Sequence, residues 1–255
     1  RSTGFDHIDT DRAEELGIEV YNVPHYGSNT VAEHAFGLLL ALSKRIPESA
    51  RRTHHEFSTD GLTGFELAGK KIGVIGTGEI GQEFIEMARG FDMEVIAYDP
   101  YGDEELEEEL EFMYVSLDDL LRKSDIISLH CPLTDENRHM ISEGEFEKMD
   151  ETVLINTARG ELIDSEALLD ALKNDSVRSA GLDVLEIEDE MRSENRLDET
   201  TEFCSKEVEI NCRLIERDDT IVTPHNALNT REAKQRILDS TLENIRKRPE
   251  ENRVV

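Results

Sequence analysis

Three ionisable side chains stand just past segments that read as short apolar strands, or in the loops that follow them: Arg159, Glu188 and His225. Their types suit one chemistry. An arginine fork can hold a carboxylate and polarise a neighbouring carbonyl. A protonated histidine can give its proton to the carbonyl oxygen as hydride reaches carbon, and a glutamate nearby would favour the imidazolium. Together they suit hydride transfer to a 2-keto acid, which calls for a hydride carrier. The carrier's site is legible in GTGEIG, where Gly76, Gly78 and Gly81 fall at G-x-G-x-x-G spacing. Gly76 permits the tight turn, Gly78 lets the backbone approach a pyrophosphate, and Gly81 lets the following helix pack close to the strand before it. Asp99, about twenty residues further on, is spaced to bond the hydroxyls of an adenosine ribose. No Arg or Lys follows it within the next several residues to offset a 2′-phosphate, so NAD is expected over NADP.

The elements that must hold these residues follow from hydrophobic periodicity. Lys70 to Pro100 reads as strand, glycine turn, helix and second strand. Ile72, Val74 and Ile75 form a short buried run, Phe84, Ile85 and Ala88 share one helical face, and Met93 to Tyr98 is apolar again. Such a unit presents free N–H groups and the positive end of a helix dipole to phosphates. Upstream, a short helix is expected near Thr10 to Leu16 and a strand at Ile18 to Asn22. Ser28 or Asn29 is expected to cap a long helix carrying Val31, Ala35, Leu38, Leu39 and Leu42, which Pro47 bends or interrupts. Residues 54–69 read as a loop. Downstream, the like-charge run Asp103 to Glu111 reads as a solvated helix or loop, and Leu117 to Arg122 as a short helix. Strands are expected at Ile126 to Leu129, running into HCPLTDENRHM, and at Thr152 to Ile155, running into NTARGELID. Ser165 is expected to cap a helix to Leu172, and Ala180 to Val184 to form another strand. Asp189 to Glu209 is an acidic insertion without clear pattern. Ile221 and Val222 lead into TPHNA, and Thr230 caps a last helix to about Arg246. Strands alternating with helices predict an α/β fold with a doubly wound parallel sheet, whose ligand loops lie outside the carboxyl ends of the strands.

Composition narrows the partners. A formal charge of −30, from 58 acidic against 28 basic residues, speaks against nucleic acid and anionic membranes. Few Lys among the basic residues and the dense acids suit either a protein of salt-loving cells or a well-solvated acidic face. Cys131, Cys204 and Cys212 are odd in number and lack metal-site spacing, so no disulfide framework and no metal is expected, and a reducing cytoplasm fits best. The apolar run GLLLAL at Gly37 to Leu42 is too short to span a bilayer.

The motifs resemble those of the D-isomer-specific 2-hydroxyacid dehydrogenase family, and within it the D-lactate branch most. Seven carry the likeness in order: RSTGFDHID from Arg1, NVPHYGSNTVAEH from Asn22, GTGEIG from Gly76, HCPLTDEN from His130, NTARGELID from Asn156, AGLDVLEIE from Ala180 and TPHNA from Thr223. The resemblance implies a Rossmann-type NAD-binding domain beside an incomplete flavodoxin-like substrate domain. Residues 1–29 would be the remnant of the substrate domain, 30–228 the NAD-binding domain, and 229–255 a helix returning towards the former. Arg159, Glu188 and His225 would be the catalytic set. Cofactor contacts would come from Gly76, Gly78, Glu79, Ile80, Gly81, Asp99, Cys131, Pro132, Asn137, Thr157, Ala158, Arg159 and Asp183, the last near the carboxamide. Ser2, Thr3, Gly4 and the hydroxyl of Tyr26, with Arg159, would meet the substrate carboxylate, and the helix from Val31 would form a homodimer.

Three features depart from that pattern. Glu79 replaces a residue that is usually basic, Asp189 replaces a common proline, and the substrate-domain strands that precede RSTGFDHID in the family are not present, which reads as a fragment. Three other functions share the architecture. Formate dehydrogenases place Gln where Glu188 stands, and phosphite dehydrogenases are a further fold-mate. The C-terminal binding protein corepressors keep the catalytic set in an NAD-sensing scaffold.

Overall fold

The computed structural model describes residue 4, residues 8–193 and residues 205–255. Its strands are β1 (Lys71–Ile75), β2 (Glu94–Tyr98), β3 (Met113–Tyr114), β4 (Ile126–Leu129), β5 (Thr152–Asn156), β6 (Val177–Leu182) and β7 (Thr220–Val222), all in one sheet of order β3-β2-β1-β4-β5-β6-β7. Every pairing is parallel. The helices are α1 (Thr10–Glu15), α2 (Ser28–Ser43), α3 (Ile46–Arg52), α4 (Glu79–Gly90), α5 (Glu104–Glu109), α6 (Leu117–Lys123), α7 (Glu143–Phe146), α8 (Ser165–Ala171), α9 (Glu188–Ser193), α10 (Lys206–Ile215) and α11 (Arg231–Lys247). This is the expected doubly wound α/β fold.

Alternation along the strands explains why both faces are covered. Ile72, Val74, Val153 and Ile155 join Leu39 of α2 and Phe84 and Ile85 of α4 on one side. Ile75, Ile127, Leu129 and Leu154 join Leu120 of α6, Leu168 of α8 and Leu214 of α10 on the other. A strand buried on both faces must be apolar at every position, which is why these segments read as runs rather than as alternating patterns.

Register sets where the chemistry lies. Ile75 pairs with Tyr98 on one side and Leu129 on the other, Leu129 with Asn156, Asn156 with Leu182, and Leu182 with Val222. Six strands therefore end in one row. Gly76, Asp99, His130, Thr157, Asp183 and Thr223 each follow that row, and the strand order reverses beside β1, where such sheets open a crevice for ligands.

Several local expectations are corrected. Among the described residues, Ile18 to Asn22 makes one bridge, Tyr21 with Arg253, flanked by bonds from Val20 N to Val255 O and from Val254 N to Val20 O. Its partner is the chain's own C-terminal stretch, and among the described residues it joins no sheet. Neither Ser28 nor Asn29 caps α2; the N-cap is Gly27 without a side-chain bond. The break after α2 lies at Arg45, which has φ 50°, and Pro47 sits in the first turn of α3, where it loses no hydrogen bond. Asp164, not Ser165, caps α8 by accepting from Glu166 N and Ala167 N. β6 begins at Val177, earlier than Ala180, and ends at Leu182. The insertion read as patternless carries helix at both described ends, α9 and α10, and Ser205 caps the latter. Its apolar Val208, Ile210 and Leu214 are buried amid acids that hid the period. The short elements β3 and α7 were not foreseen, whereas Thr230 caps α11 as expected.

At the two ends of the chain, Asn244 Nδ2 donates to Asn22 O at 2.7 Å and Arg236 Nε to Tyr26 O at 2.7 Å. Val23, Tyr26 and Ala233 form a small cluster of their own.

Candidate active site

The glycine turn has the geometry its spacing predicts. Gly76 has φ +96°, and a Cβ there would stand 2.7 Å from Cys131 N. A Cβ on Gly81 would stand 2.1 Å from Gly76 O, so α4 leaves the turn at backbone contact with it. A Cβ on Gly78 would meet nothing within 4 Å. That side of the loop is open. The first intrahelical bond of α4 runs from Gln82 N to Gly78 O, so the N–H groups of Glu79, Ile80 and Gly81 have no intrahelical acceptor.

Glu79 faces the start of α2 and the residues just before it: its Oε2 accepts from Ser28 Oγ at 2.7 Å, and its Oε1 pairs with His25 Nδ1. The acid that departs from the family pattern thus has partners in the chain itself. Asp99 at the end of β2 accepts from Thr77 N at 2.9 Å through Oδ2 and from Tyr101 N at 2.9 Å through Oδ1. On the other side of β1, Asn137 Nδ2 donates to Pro132 O at 2.8 Å and its Oδ1 accepts from Thr134 N at 2.7 Å, which shapes the loop carrying Cys131 and Pro132. Burial pushes the Cys131 thiol up to about 11, so it stays protonated at neutral pH. Neither Cys131 nor Cys212 is in a disulfide. His130 is buried against the Phe84 ring with centroids 4.7 Å apart, and burial lowers it to about 3. It is a neutral core histidine bonded to Ser128 Oγ at 2.8 Å, not an acid of the site.

Asn156, the last residue of β5, folds the next loop by accepting from Ala158 N at 3.0 Å and donating to Arg159 O at 2.8 Å. An Asn at a strand end is a known turn signal, although the sequence reading attached no role to it. Arg159 is half-buried, and its Nη1 donates to Ala158 O at 2.8 Å.

His225 and Glu188 are brought together. Nδ1 of His225 stands 2.8 Å from Glu188 Oε1, with about a quarter of each side chain exposed. His225 sits in the left-handed region at φ 52°, and its N–H donates to Asp183 O at 2.8 Å. The loop from β6 is tied as well: Glu186 accepts from Ser165 N at 3.0 Å and meets His139 Nε2 at 2.6 Å, while Asn211 Nδ2 donates to Glu186 O at 2.7 Å.

Asp183, just past β6, is held by the loop beyond β7. Its carboxylate is fully enclosed and engaged by Thr223 Oγ1, by Asn226 N and Ala227 N at 2.8 Å each, and by His34 Nε2 at 3.3 Å. Burial alone would raise its pKa, but these donors outweigh burial and hold it below the ordinary 3.8. In this structure the carboxylate therefore anchors the TPHNA loop, and no face of it is turned towards an open crevice. Tyr26 is buried against Val23 and Ala233. Gly4 is among the described residues, and Ser2 and Thr3 lie outside them.

The crevice fits a dinucleotide. Thr157 Oγ1 is buried and meets no hydrogen-bond partner among the described residues, and at the same edge of the sheet, two strands away, lie the open flank of Gly78 and the N–H groups opening α4 that have no intrahelical acceptor. A sheet of this order with such a loop at its switch point defines a Rossmann-type dinucleotide-binding domain. The chain belongs to the D-isomer specific 2-hydroxyacid dehydrogenase family, whose NAD-binding domain model matches residues 36–227. Accordingly it is an NAD-dependent oxidoreductase of 2-hydroxy acids. It is 42% identical over 247 residues to a D-lactate dehydrogenase of Escherichia coli (strain K12), covering 96% of this chain and 73% of that one. It is 39% identical to a hydroxypyruvate reductase of Thermotoga maritima, covering 95% and 74%. Among solved structures, a D-lactate dehydrogenase from Aquifex aeolicus complexed with NAD and lactic acid superposes with a TM-score of 0.88 at 35% identity, covering 100% of this chain and 78% of that one.

Proposed function

We propose that the protein reduces a small, pyruvate-like 2-keto acid to the D-2-hydroxy acid, with Arg159, Glu188 and His225 as its catalytic residues. The observation that carries this reading is the 2.8 Å contact between His225 Nδ1, on the loop after β7, and Glu188 Oε1, at the start of α9 after β6, beyond the edge that holds the glycine turn. NADH, held at the Gly76 to Gly81 turn with Asp99 and Thr157, supplies the hydride. A carboxylate against Nδ1 orients the ring and leaves Nε2 as the proton-bearing atom for the carbonyl oxygen. Arg159 binds the substrate carboxylate through its guanidinium and holds the carbonyl carbon in place. The names of the relatives, a D-lactate dehydrogenase and a hydroxypyruvate reductase, support a small keto acid.

Around that site we assign residues 30–228 to the NAD-binding domain, and residues 1–29 with 229–255 to the base of a substrate domain, in keeping with the bonds between Asn22 and Asn244 and between Val20 and Val254. A homodimer through α2, a cytoplasmic setting and tolerance of high salt complete the reading. The test is an assay of the protein with NADH and pyruvate, hydroxypyruvate or glyoxylate, with chiral analysis of the product. Formation of the D-isomer is expected; NADH binding without turnover of any 2-keto acid would count for the scaffold function instead.

A further inference from the structure

We infer that Tyr114 and Thr77 are positioning residues that fix the carboxylate of Asp99 and thereby set the preference for NAD over NADP. The inference rests on the reading that Asp99 meets the adenosine ribose. Thr77 Oγ1 lies 3.2 Å from Asp99 Oδ2 and 2.8 Å from the hydroxyl of Tyr114. A threonine has one hydroxyl proton. With that proton on the carboxylate, Tyr114 must donate to Thr77, and the result is a one-way relay from Tyr114 through Thr77 to Asp99.

The relay decides what the carboxylate has left to offer. An ionised carboxylate presents about four acceptor positions. Thr77 N, Thr77 Oγ1 and Tyr101 N take three of them, which leaves one, on Oδ1. A ribose hydroxyl can donate to that position. A 2′-phosphate brings no proton at neutral pH and about two negative charges. Because the carboxylate is held by bonds on both oxygens, it cannot swing aside to make room.

Tyr114 is itself held firmly. Ala97 of β2 pairs with it, its N–H donates to Glu107 Oε1 at 3.0 Å, and the Phe112 ring meets it edge-on with centroids 4.8 Å apart. Gly102 packs close enough that a Cβ there would come within 3.4 Å of the ring. This gives the two-residue strand β3 and the acidic helix α5 a purpose: Glu107 of α5 holds the Tyr114 backbone at the start of the relay, and Glu104, Glu105, Glu108 and Glu109 add negative charge to the same short helix.

The experiment measures Kd and KM for NADH and NADPH in four variants, with a melting curve for each. Tyr114→Phe and Thr77→Val should each lower the ratio of NADH to NADPH affinity about fivefold, the effect of one hydrogen bond. Thr77→Ser, which keeps the hydroxyl, should restore the ratio to within about twofold. An unchanged ratio in both Tyr114→Phe and Thr77→Val would overturn the relay, as would equal weakening of both cofactors, the mark of a merely structural defect. Asp99→Ala separates the two levels of the proposal. If it abolishes the preference while Tyr114→Phe and Thr77→Val do not change it, the relay alone is wrong; if it keeps the preference, the ribose reading fails and the relay with it.

Discussion

At the scale of single residues, the proposed chemistry rests on the pairing of His225 with Glu188, and each member has its own test. His225→Ala removes the proposed acid for the developing alkoxide, and should lower keto-acid reduction by about 100-fold to 10,000-fold while NADH still binds. Turnover within tenfold of the parent would refute the role. Glu188→Gln keeps a hydrogen-bond acceptor for the ring but removes the charge, and should lower turnover at neutral pH by about tenfold, a smaller loss than that of His225→Ala. Asp183 belongs to the same scale for a different reason. Its folded-state pKa is depressed below 3.8, so the stability it contributes is present above that value and is lost as pH falls through the lower, folded one. Asp183→Asn leaves one acceptor oxygen facing the donors of Thr223, Asn226 and Ala227, and should destabilise by about 2–4 kcal/mol at neutral pH, roughly 5–15 °C in Tm. The difference in Tm between parent and variant should shrink as pH falls below 3.8; a difference independent of pH would mean that the charge is not what anchors the loop.

At the scale of elements, the site depends on loops that touch one another beyond the strand row. Gly160 is the tightest such contact. A Cβ on it would stand 2.1 Å from the Leu185 carbonyl carbon, so the loop after Arg159 lies on the loop that carries Glu188. Both sides of the clash are backbone, which cannot rotate away. Gly160→Ala should therefore cost about 1–3 kcal/mol and lower turnover more than NADH affinity, since it separates Arg159 from Glu188 while leaving the glycine turn alone. A variant with parent-like kinetics would show that the two loops are not coupled. The elements themselves were legible wherever apolar residues recur at a clear period, as in β1, α4 and α11. They were illegible where the partner was remote. Ile18 to Asn22 has strand composition, but whether a strand forms depends on what lies beside it, and only the folded chain supplies Val254 and Val255. Likewise α10 hides its apolar Val208, Ile210 and Leu214 among charges, and is held in place by contacts with α8 and by Asn211 against the Glu186 carbonyl.

For the molecule as a whole, the net charge of −30 is the governing quantity. Carboxylates such as those of α5 repel one another across the surface, and salt shortens the range of that repulsion from about 10 Å at 0.1 M to about 3 Å at 1 M. The protein should gain roughly 10 °C or more in Tm between those salt concentrations if its charge is adapted to high salt, a shift equivalent to about 3–5 kcal/mol in a chain of this size. A flat melting temperature across the same range would mark an ordinary solvated acidic surface.

By itself the sequence determined the doubly wound fold, the dinucleotide turn and the identity of the residues at the strand ends, because each rests on short-range facts: two-residue and 3.6-residue periods, and glycines where a side chain cannot fit. Arg159, Glu188 and His225 could be named from type and position alone. What only the tertiary structure decided is which groups meet across long separations in the chain. It joined Glu188 to His225, closed the carboxylate of Asp183 within the TPHNA loop, turned Glu79 towards Ser28, and linked Tyr114 through Thr77 to Asp99. Hydrogen bonds need alignment within a few tenths of an ångström. No spacing along the chain specifies that; the parallel register, which sets six strand ends in one row, does.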